Sequence, residues 1–220
     1  FVFSRLYLPR PLSASSVAVL LMRLAGADVP RPLALELQAN ADGVTALLGC
    51  ASTAVHRLKR LLGGLLPGIG FGAATRADVA AVSRITARPS GLPLTDVDPE
   101  ELVAAIFQAM AARRGDEVLA LQVILGRVHR PQRLRPTPLD PLQPLGSVLI
   151  DGIRRAPVET QRRMATHVSQ ARFDTTLRIG VTAATVKRRH ALVWELFGAL
   201  QSLQSPGVRL SLVRDSSARW

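Results

Sequence analysis

The fold is decided by residues 98–128, DPEELVAAIFQAMAARRGDEVLALQVILGRV, which predict one helix followed by one buried strand. Asp98 is a natural N-cap with a proline after it, and Glu101 three residues on completes a capping-box pattern. Gly115 can adopt the left-handed conformation that ends a helix. From Val118 to Leu125 nearly every residue is apolar, which predicts a strand covered on both faces in the interior of a sheet. The apolar residues of the predicted helix recur at helical spacing: Leu102, Val103, Ile106, Phe107 and Met110.

The chain before this stretch predicts the element order strand, helix, strand, strand, helix, strand. Alternating residues indicate strands at 2–8 and 33–38, the second with its leucines on one side, and Asn40-Ala41-Asp42-Gly43 indicates a hairpin turn. Ser13 can cap the first helix, and a second helix leads to a last strand at 69–74. This order is that of a split βαβ, or ferredoxin-like, unit.

The rest of the chain predicts the same order, interrupted by an insertion. A strand at 81–88 precedes the helix that Asp98 opens, and the alternating run 173–183 predicts a third strand of this half. Thr185 opens a long helix, and residues 208–213 form the last predicted strand. Each half of the chain therefore predicts four strands and two helices in one order.

The predicted insertion occupies about residues 130–171. It begins with five prolines between Arg130 and Pro144, which predict an irregular segment, and continues with helices at about 145–155 and 157–171. We therefore predict an α+β fold of two tandem ferredoxin-like sandwiches, the second with this Pro/Arg-rich, partly helical insertion. The predicted domains are residues 1–78 and 79–220.

The composition is strongly basic and its charge is uneven. The chain of 220 residues has 26 Arg, 2 Lys and a net charge of +12, and the segment from Arg130 to His190 alone carries +8. Such clusters neutralise phosphates without reading bases, so the sequence predicts contact with DNA that is independent of base sequence. A surface that faces an acidic protein partner or only solvent stays an alternative. The predicted polyanion-binding residues are Arg154, Arg155, Arg162, Arg163, Arg172, Lys187, Arg188 and Arg189.

Residues for chemistry do not form any recognised pattern in the sequence. Cys50 stands alone within an apolar run, which predicts a buried and unreactive thiol. The four histidines have no metal-binding spacing, and no G-x-S-x-G elbow occurs. Lys59 and Lys187 are each followed by arginine, so neither completes a P-loop. We predict no catalytic, cofactor-binding or metal site, and therefore no enzyme activity for this chain.

The longest uncharged runs, 11–22 and 61–75, are shorter than the ~20 residues that a membrane-spanning helix needs. We therefore predict no transmembrane segment. No signal peptide is visible, and the chain starts with Phe1 rather than Met, as expected for a piece of a longer protein.

Three phrases of the chain resemble a region of known proteins: Asp116–Arg127 (DEVLALQVILGR), Phe173–Val181 (FDTTLRIGV) with an arginine-rich helix before it, and Pro206–Leu210 (PGVRL). From about Leu33 onward the chain is similar to the region that precedes the motor domain in actinobacterial type IV secretion or conjugation-type ATPases of the HerA/FtsK-like superfamily. In that family this region is an α+β module ahead of a RecA-like ATPase. The Walker motifs lie in the motor that follows, so no family site residue is carried over to this chain.

The resemblance implies a non-catalytic N-terminal module of a DNA-translocating or type IV secretion-like ATPase, serving assembly, docking or DNA guidance. The expected partners are DNA, the C-terminal motor domain, membrane-channel proteins, and further copies in a hexamer built by the motor. It also implies a cytoplasmic location at the inner face of the cell membrane. The alternative is a protein-interaction or scaffolding module with no nucleic-acid role. A small-molecule enzyme on the same scaffold has the least support, because no acid, base or nucleophile cluster is present.

Overall fold

Eight strands and five α-helices form the part of the chain that the computed structural model describes: residues 1–89, 92, 94–132, 140, 142–143, 147–148, 150, 152–216 and 220. The strands are β1 (Val2–Tyr7), β2 (Leu33–Asn40), β3 (Gly43–Cys50), β4 (Gly70–Ala73), β5 (Ala81–Arg88), β6 (Val118–His129), β7 (Arg172–Thr182) and β8 (Arg209–Asp215). The helices are α1 (Ala14–Gly26), α2 (Val55–Leu65), α3 (Pro99–Ala111), α4 (Val158–Val168) and α5 (Val186–Leu200). Short 3₁₀ turns precede α2 at Ser52–Ala54 and follow α5 at Gln201–Leu203.

All eight strands form one antiparallel sheet with the order β4-β1-β3-β2-β6-β7-β5-β8. In each half of the chain the strands lie in the order fourth, first, third, second, counted within that half. The halves meet through their second strands, β2 and β6, where Glu36 lies opposite Gln122. The predicted α+β class is therefore confirmed, and the two halves have the same strand order.

Four helices cover one face of the sheet and create two apolar cores. Under α1 and α2, leucines of the helices meet Leu33 and Cys50 of the first half. Under α3 and α5, a larger core extends across strands of the second half, with Met110, Leu119 and Leu196 showing no exposed surface. We call the opposite side of the sheet the outer face.

The residues 98–128 that decide the fold behave largely as predicted. The Asp98 side chain accepts a hydrogen bond from the Glu100 amide at 2.9 Å, and Gly115 has φ of +50°. Strand β6 pairs on both sides, and four consecutive residues at 119–122 are buried. Two of the helix residues predicted to be core, Val103 and Phe107, are instead exposed, because α3 buries only the narrower side that contains Ile106, Ala109 and Met110.

Strand β2 is buried differently from what its alternating residues predict. Leu35 is exposed, whereas Glu36 and Gln38 on the outer face are buried. The reason is the linker between β4 and β5, which crosses the outer face and places Arg76 and Ala77 against these side chains. Arg76 binds the Glu36 carboxylate, and the Ala77 amide donates to the Gln38 side chain at 2.9 Å. The polar residues of β2 are therefore paired inside the fold.

The insertion is described only in part. The predicted helix at 157–171 is confirmed as α4 (Val158–Val168). The proline-rich run and the predicted helix at about 145–155 fall mostly outside the described residues. Among the helices that are described, none is long and apolar enough to cross a bilayer.

Candidate functional site

Four arginines lie together on the outer face of the second half. Arg84 lies directly opposite Arg178 in β7, and Arg88 lies directly opposite Arg209 in β8. They are on the outer face because their strand neighbour Ile85 belongs to the core under α3 and α5. Side chains of directly opposed residues are only about 5 Å apart at Cβ, and like charges at this spacing repel each other. We call these four residues the arginine face.

Carboxylates on the outer face do not neutralise most of this charge. Arg178 forms an ion pair with Asp215 at 3.2 Å, so its charge is balanced. Arg84, Arg88 and Arg209 are exposed, and within the described ranges no carboxylate pairs with any of them. Three positive charges therefore stand on one side of the sheet without a carboxylate partner in the part of the chain that the structure describes.

Two hydroxyl groups lie between the opposed arginine pairs. Thr86 is opposite Ser211, and their hydroxyl oxygens are 2.8 Å apart. Hydroxyl and guanidinium groups are among the common donors to phosphate oxygens in protein–nucleic acid contacts. The outer face of β5 and β8 thus offers hydrogen-bond donors that suit phosphate groups.

A buried network borders the arginine face where the two halves of the sheet join. The Glu36 carboxylate, with no exposed surface, accepts hydrogen bonds from Arg76 Nε at 3.0 Å, Arg76 Nη2 at 2.7 Å and Gln122 Nε2 at 2.9 Å. The Arg76 guanidinium lies 4.3 Å from the Phe3 ring centroid and 5.0 Å from that of Trp220. Because Glu36 balances its charge, Arg76 serves to hold the linker and both halves together.

The residues predicted from the insertion lie at and before α4. Arg154, Arg155 and Arg162 are exposed, and Arg163 is half-buried. Arg162 and Arg163 line a cleft that also contains Glu159 and Asp96, which reduce the local positive charge. Arg172 starts β7 and is half-buried. The predicted insert surface is therefore basic but mixed with acids.

The three predicted residues of α5 lie in its first turns and have different environments. Lys187 is exposed and Arg189 is half-buried. Arg188 binds Glu117 through Nε and Nη2, both at 2.8 Å, and donates to the Ala112 carbonyl at 2.7 Å. The hydrogen bond from Arg188 lowers the pKa of the Glu117 carboxyl below its ordinary value, and the same bond raises the pKa of Arg188. Arg188 thus connects α5 to the end of α3 and has little freedom to bind a polyanion.

The predicted residues do not form one site. The cleft lined by Arg162 and Arg163, which we call the α4 cleft, also includes Thr95. The Thr95 amide donates to the Leu203 carbonyl at 2.9 Å, just past the C-terminal end of α5. Lys187 to Arg189 lie at the other end of that helix of 15 residues, roughly 22 Å away at 1.5 Å per residue. The structure thus places the basic residues beside α4 and those at the start of α5 in two separate groups.

The arginine face was missed by the reasoning from sequence. Arg84 and Arg88 are four residues apart in a strand, which places them on the same side. That signal was available in the sequence. The approach of Arg178 and Arg209 to them depends on the strand register, which the sequence alone does not give.

Two aromatic residues of the second half lie outside the arginine face. Trp194 is exposed on α5, where its ring meets Phe197 edge-on, and Phe173 lies under the Arg31 guanidinium at 4.9 Å. Cys50 is buried as predicted, and this burial raises the pKa of its thiol. Within the described ranges no three His, Cys, Asp or Glu side chains are grouped so that they could hold a metal ion.

Comparison with known protein families, with curated proteins and with solved structures finds no match to this chain.

Proposed function

We propose that this chain is a non-catalytic N-terminal module of a DNA-translocating or type IV secretion-like ATPase, and that it contacts DNA through the arginine face without reading base sequence. The observation that supports DNA contact is the group of Arg84, Arg88 and Arg209, three exposed arginines with no carboxylate partner among the described residues. The parent ATPase rests on the resemblance of the sequence phrases given above.

The physical argument for a bound polyanion is the electrostatic repulsion among the arginines of this face when no anion is present. Arg88 and Arg209 occupy directly opposed positions, where like charges destabilise a sheet. A phosphate bound between them would relieve this repulsion. Each phosphate neutralised releases counterions, so the affinity must fall as salt rises. For about three contacts, a change from 50 to 200 mM salt lowers the affinity by about 20- to 40-fold.

We also infer that each half of the chain is a ferredoxin-like sandwich, as the sequence predicts. This inference is supported by the strand order fourth, first, third, second in both halves and by the helices on one side of each. The linker that carries Arg76 then joins the proposed domains 1–78 and 79–220.

The test of DNA contact compares two triple variants in which arginine becomes glutamate. One changes Arg84, Arg88 and Arg209 on the arginine face, and the other changes Arg162, Arg163 and Arg172 of the insert. We expect the first to abolish salt-sensitive binding of a labelled DNA duplex and the second to weaken it less, because Glu159 and Asp96 already border the α4 cleft. Fluorescence anisotropy at 50 and 200 mM salt gives both affinities.

Three results would decide the proposal. If the arginine-face variant binds DNA as the unaltered chain does and the insert variant does not bind, the DNA site lies in the insert and not on the arginine face. Unchanged binding by both variants, or no binding by the unaltered chain, would overturn DNA contact. Circular dichroism of each variant verifies that the fold is kept.

A second function, protein interaction without nucleic acid, is favoured by the surface of α1. Of this helix only Leu24 is buried, whereas Val19, Leu21 and Met22 are exposed apolar side chains. Exposed apolar patches of this kind occur at protein–protein contacts. Sedimentation velocity tests this function: concentration-dependent association should be lost when Val19 and Met22 become serine. A monomer at all concentrations before substitution would oppose self-association through α1.

A further inference from the structure

We propose that the nucleic acid held on the outer face is single-stranded and that one of its bases stacks on Tyr7 beside Arg5. This inference rests on the proposed DNA contact and names the form of nucleic acid that the face selects. Its support is an exposed aromatic ring on the same side of the sheet as the arginine face.

Strand register places Tyr7 and Arg5 on the same face as the arginines. Arg5 of β1 lies opposite Leu47 of β3, which lies opposite Glu36 of β2. From Glu36 the same row of directly opposed residues continues through Gln122, Arg178 and Arg84. Tyr7, two residues after Arg5, points to the same side.

The Tyr7 ring lies along strand β4 because two glycines leave room for it. A Cβ at Gly70 would be 3.3 Å from Tyr7 Cβ, and a Cβ at Gly72 would be 3.1 Å from Tyr7 Cε2. Both glycines are opposite or beside Tyr7 in the β1–β4 pairing. One side of the ring therefore covers glycine backbone, and the residue keeps 51% of its surface exposed.

Covering of strand glycines by aromatic rings is by itself a structural device in sheets. It does not explain why the ring stays half exposed, nor why a cation lies beside it. The Arg5 guanidinium is 5.3 Å from the Tyr7 ring centroid, and Arg5 has no carboxylate partner among the described residues. An aromatic face next to a free guanidinium is the combination on which unpaired bases stack.

This combination distinguishes single strands from duplexes. In a duplex the base faces are stacked on each other, so Tyr7 cannot reach them, and only the phosphates, sugars and groove edges remain available. In a single strand each base can leave its neighbours and cover the ring, while its backbone reaches the arginine face. From β1 to β5 the sheet spans five strand spacings, about 24 Å, which suits the ~4–16 nucleotides of known single-strand sites.

The surface between the two ends is formed by the linker from β4 to β5, which crosses the outer face there. The buried Glu36 is balanced by Arg76, whereas Asp78 of the same linker is exposed. Farther along β7, the exposed Asp174 carboxylate is hydrogen-bonded to His129 Nε2 at 2.7 Å. Glu36, Asp174 and Asp215 on the described strands each contact a basic side chain, so a bound strand would have to avoid the exposed Asp78 of the linker and Asp42 in the cleft beside Arg5.

The experiment uses the full chain and three probes of about 12 nucleotides: a labelled oligo-dT, the same length without bases, and a mixed duplex. We expect oligo-dT to bind at least about tenfold more tightly than the base-free strand and the duplex. Tyr7→Ala should lower the affinity for oligo-dT about tenfold and leave the affinities for the other two probes unchanged. Tyr7→Phe should restore the affinity, because it keeps the ring.

The matched control is Phe107→Ala, which removes an aromatic ring of similar exposure on the helix side of the sheet. It should leave all three affinities unchanged. Arginine-dependent binding in which duplex equals oligo-dT, or in which Tyr7→Ala has no effect, would overturn this inference and leave DNA contact standing. Absence of arginine-dependent binding to all three probes would overturn the DNA contact itself.

Discussion

Arg76 binds the carboxylate of Glu36 with an Nη2–Oε2 distance of 2.7 Å, and Glu36 has no surface exposed to solvent. The two residues are forty positions apart in the chain. Gln122 of the other half donates to the same carboxylate. One buried acid therefore fixes the linker and bonds the second strands of both halves to each other.

Removal of Arg76 should destabilise the fold strongly, because it leaves an uncompensated carboxylate inside the protein. We expect Arg76→Met to lower the free energy of unfolding by about 3 kcal/mol, measured by urea titration followed by circular dichroism. The double variant Arg76→Met with Glu36→Met should recover much of that loss. Wild-type stability of the single variant would show that the pair does not hold the linker.

The contact between Glu117 and Arg188 should make stability depend on acidity. The folded pKa of Glu117 lies below its ordinary value of 4.5, so the folded state binds this proton less readily than the unfolded chain. The contribution of the pair is complete above pH 4.5 and is lost as the pH falls through the lowered folded pKa.

The measurement is the free energy of unfolding of wild type and Glu117→Gln between pH 3 and pH 7. We expect the wild type to be more stable than Glu117→Gln at neutral pH. The difference between their free energies of unfolding should become smaller below pH 4.5. A difference that is constant over this range would contradict the assignment. Asp116→Asn, at the neighbouring acid, serves as the control.

Gly49 should tolerate a side chain poorly. A Cβ at this position would lie 2.5 Å from Phe3 Cε1, and Phe3 in turn covers Arg76. We expect Gly49→Ala to lower the free energy of unfolding by about 1–3 kcal/mol through overpacking. The control is Gly63→Ala in α2, where no atom lies within 4 Å and the helix should gain about 0.5–1 kcal/mol. Equal effects of both changes would contradict the close packing of Phe3.

Cys50 should be unreactive in the folded protein. It is buried at the end of β3, and this burial raises the pKa of its thiol, so little thiolate is present at neutral pH. We expect Ellman's reagent to react slowly in buffer and rapidly in denaturing urea. Fast reaction under native conditions would mean that the core under α1 and α2 opens readily.

Local signals explain the parts of the fold that the sequence predicted. The cap at Asp98, the stop at Gly115 and the apolar strand from Val118 depend on residues close to one another in the chain. Pairing between distant residues explains what was missed. The burial of Glu36 requires Arg76, and the arginine face requires the register that brings Arg209 to Arg88. The number of charged residues along the chain predicted a basic site in the insertion. That number contains no information on strand pairing, so it could not predict the arginine face.

The join between β2 and β6 has a consequence for how the molecule can be divided. Seven residue pairs, from Leu33 with Leu125 to Ala39 with Leu119, connect the halves by main-chain pairing. A cut in the linker would leave each half with a long unprotected strand edge of matching register. We therefore expect the two halves, when they are produced separately, to associate through β2 and β6 and to form the same sheet again.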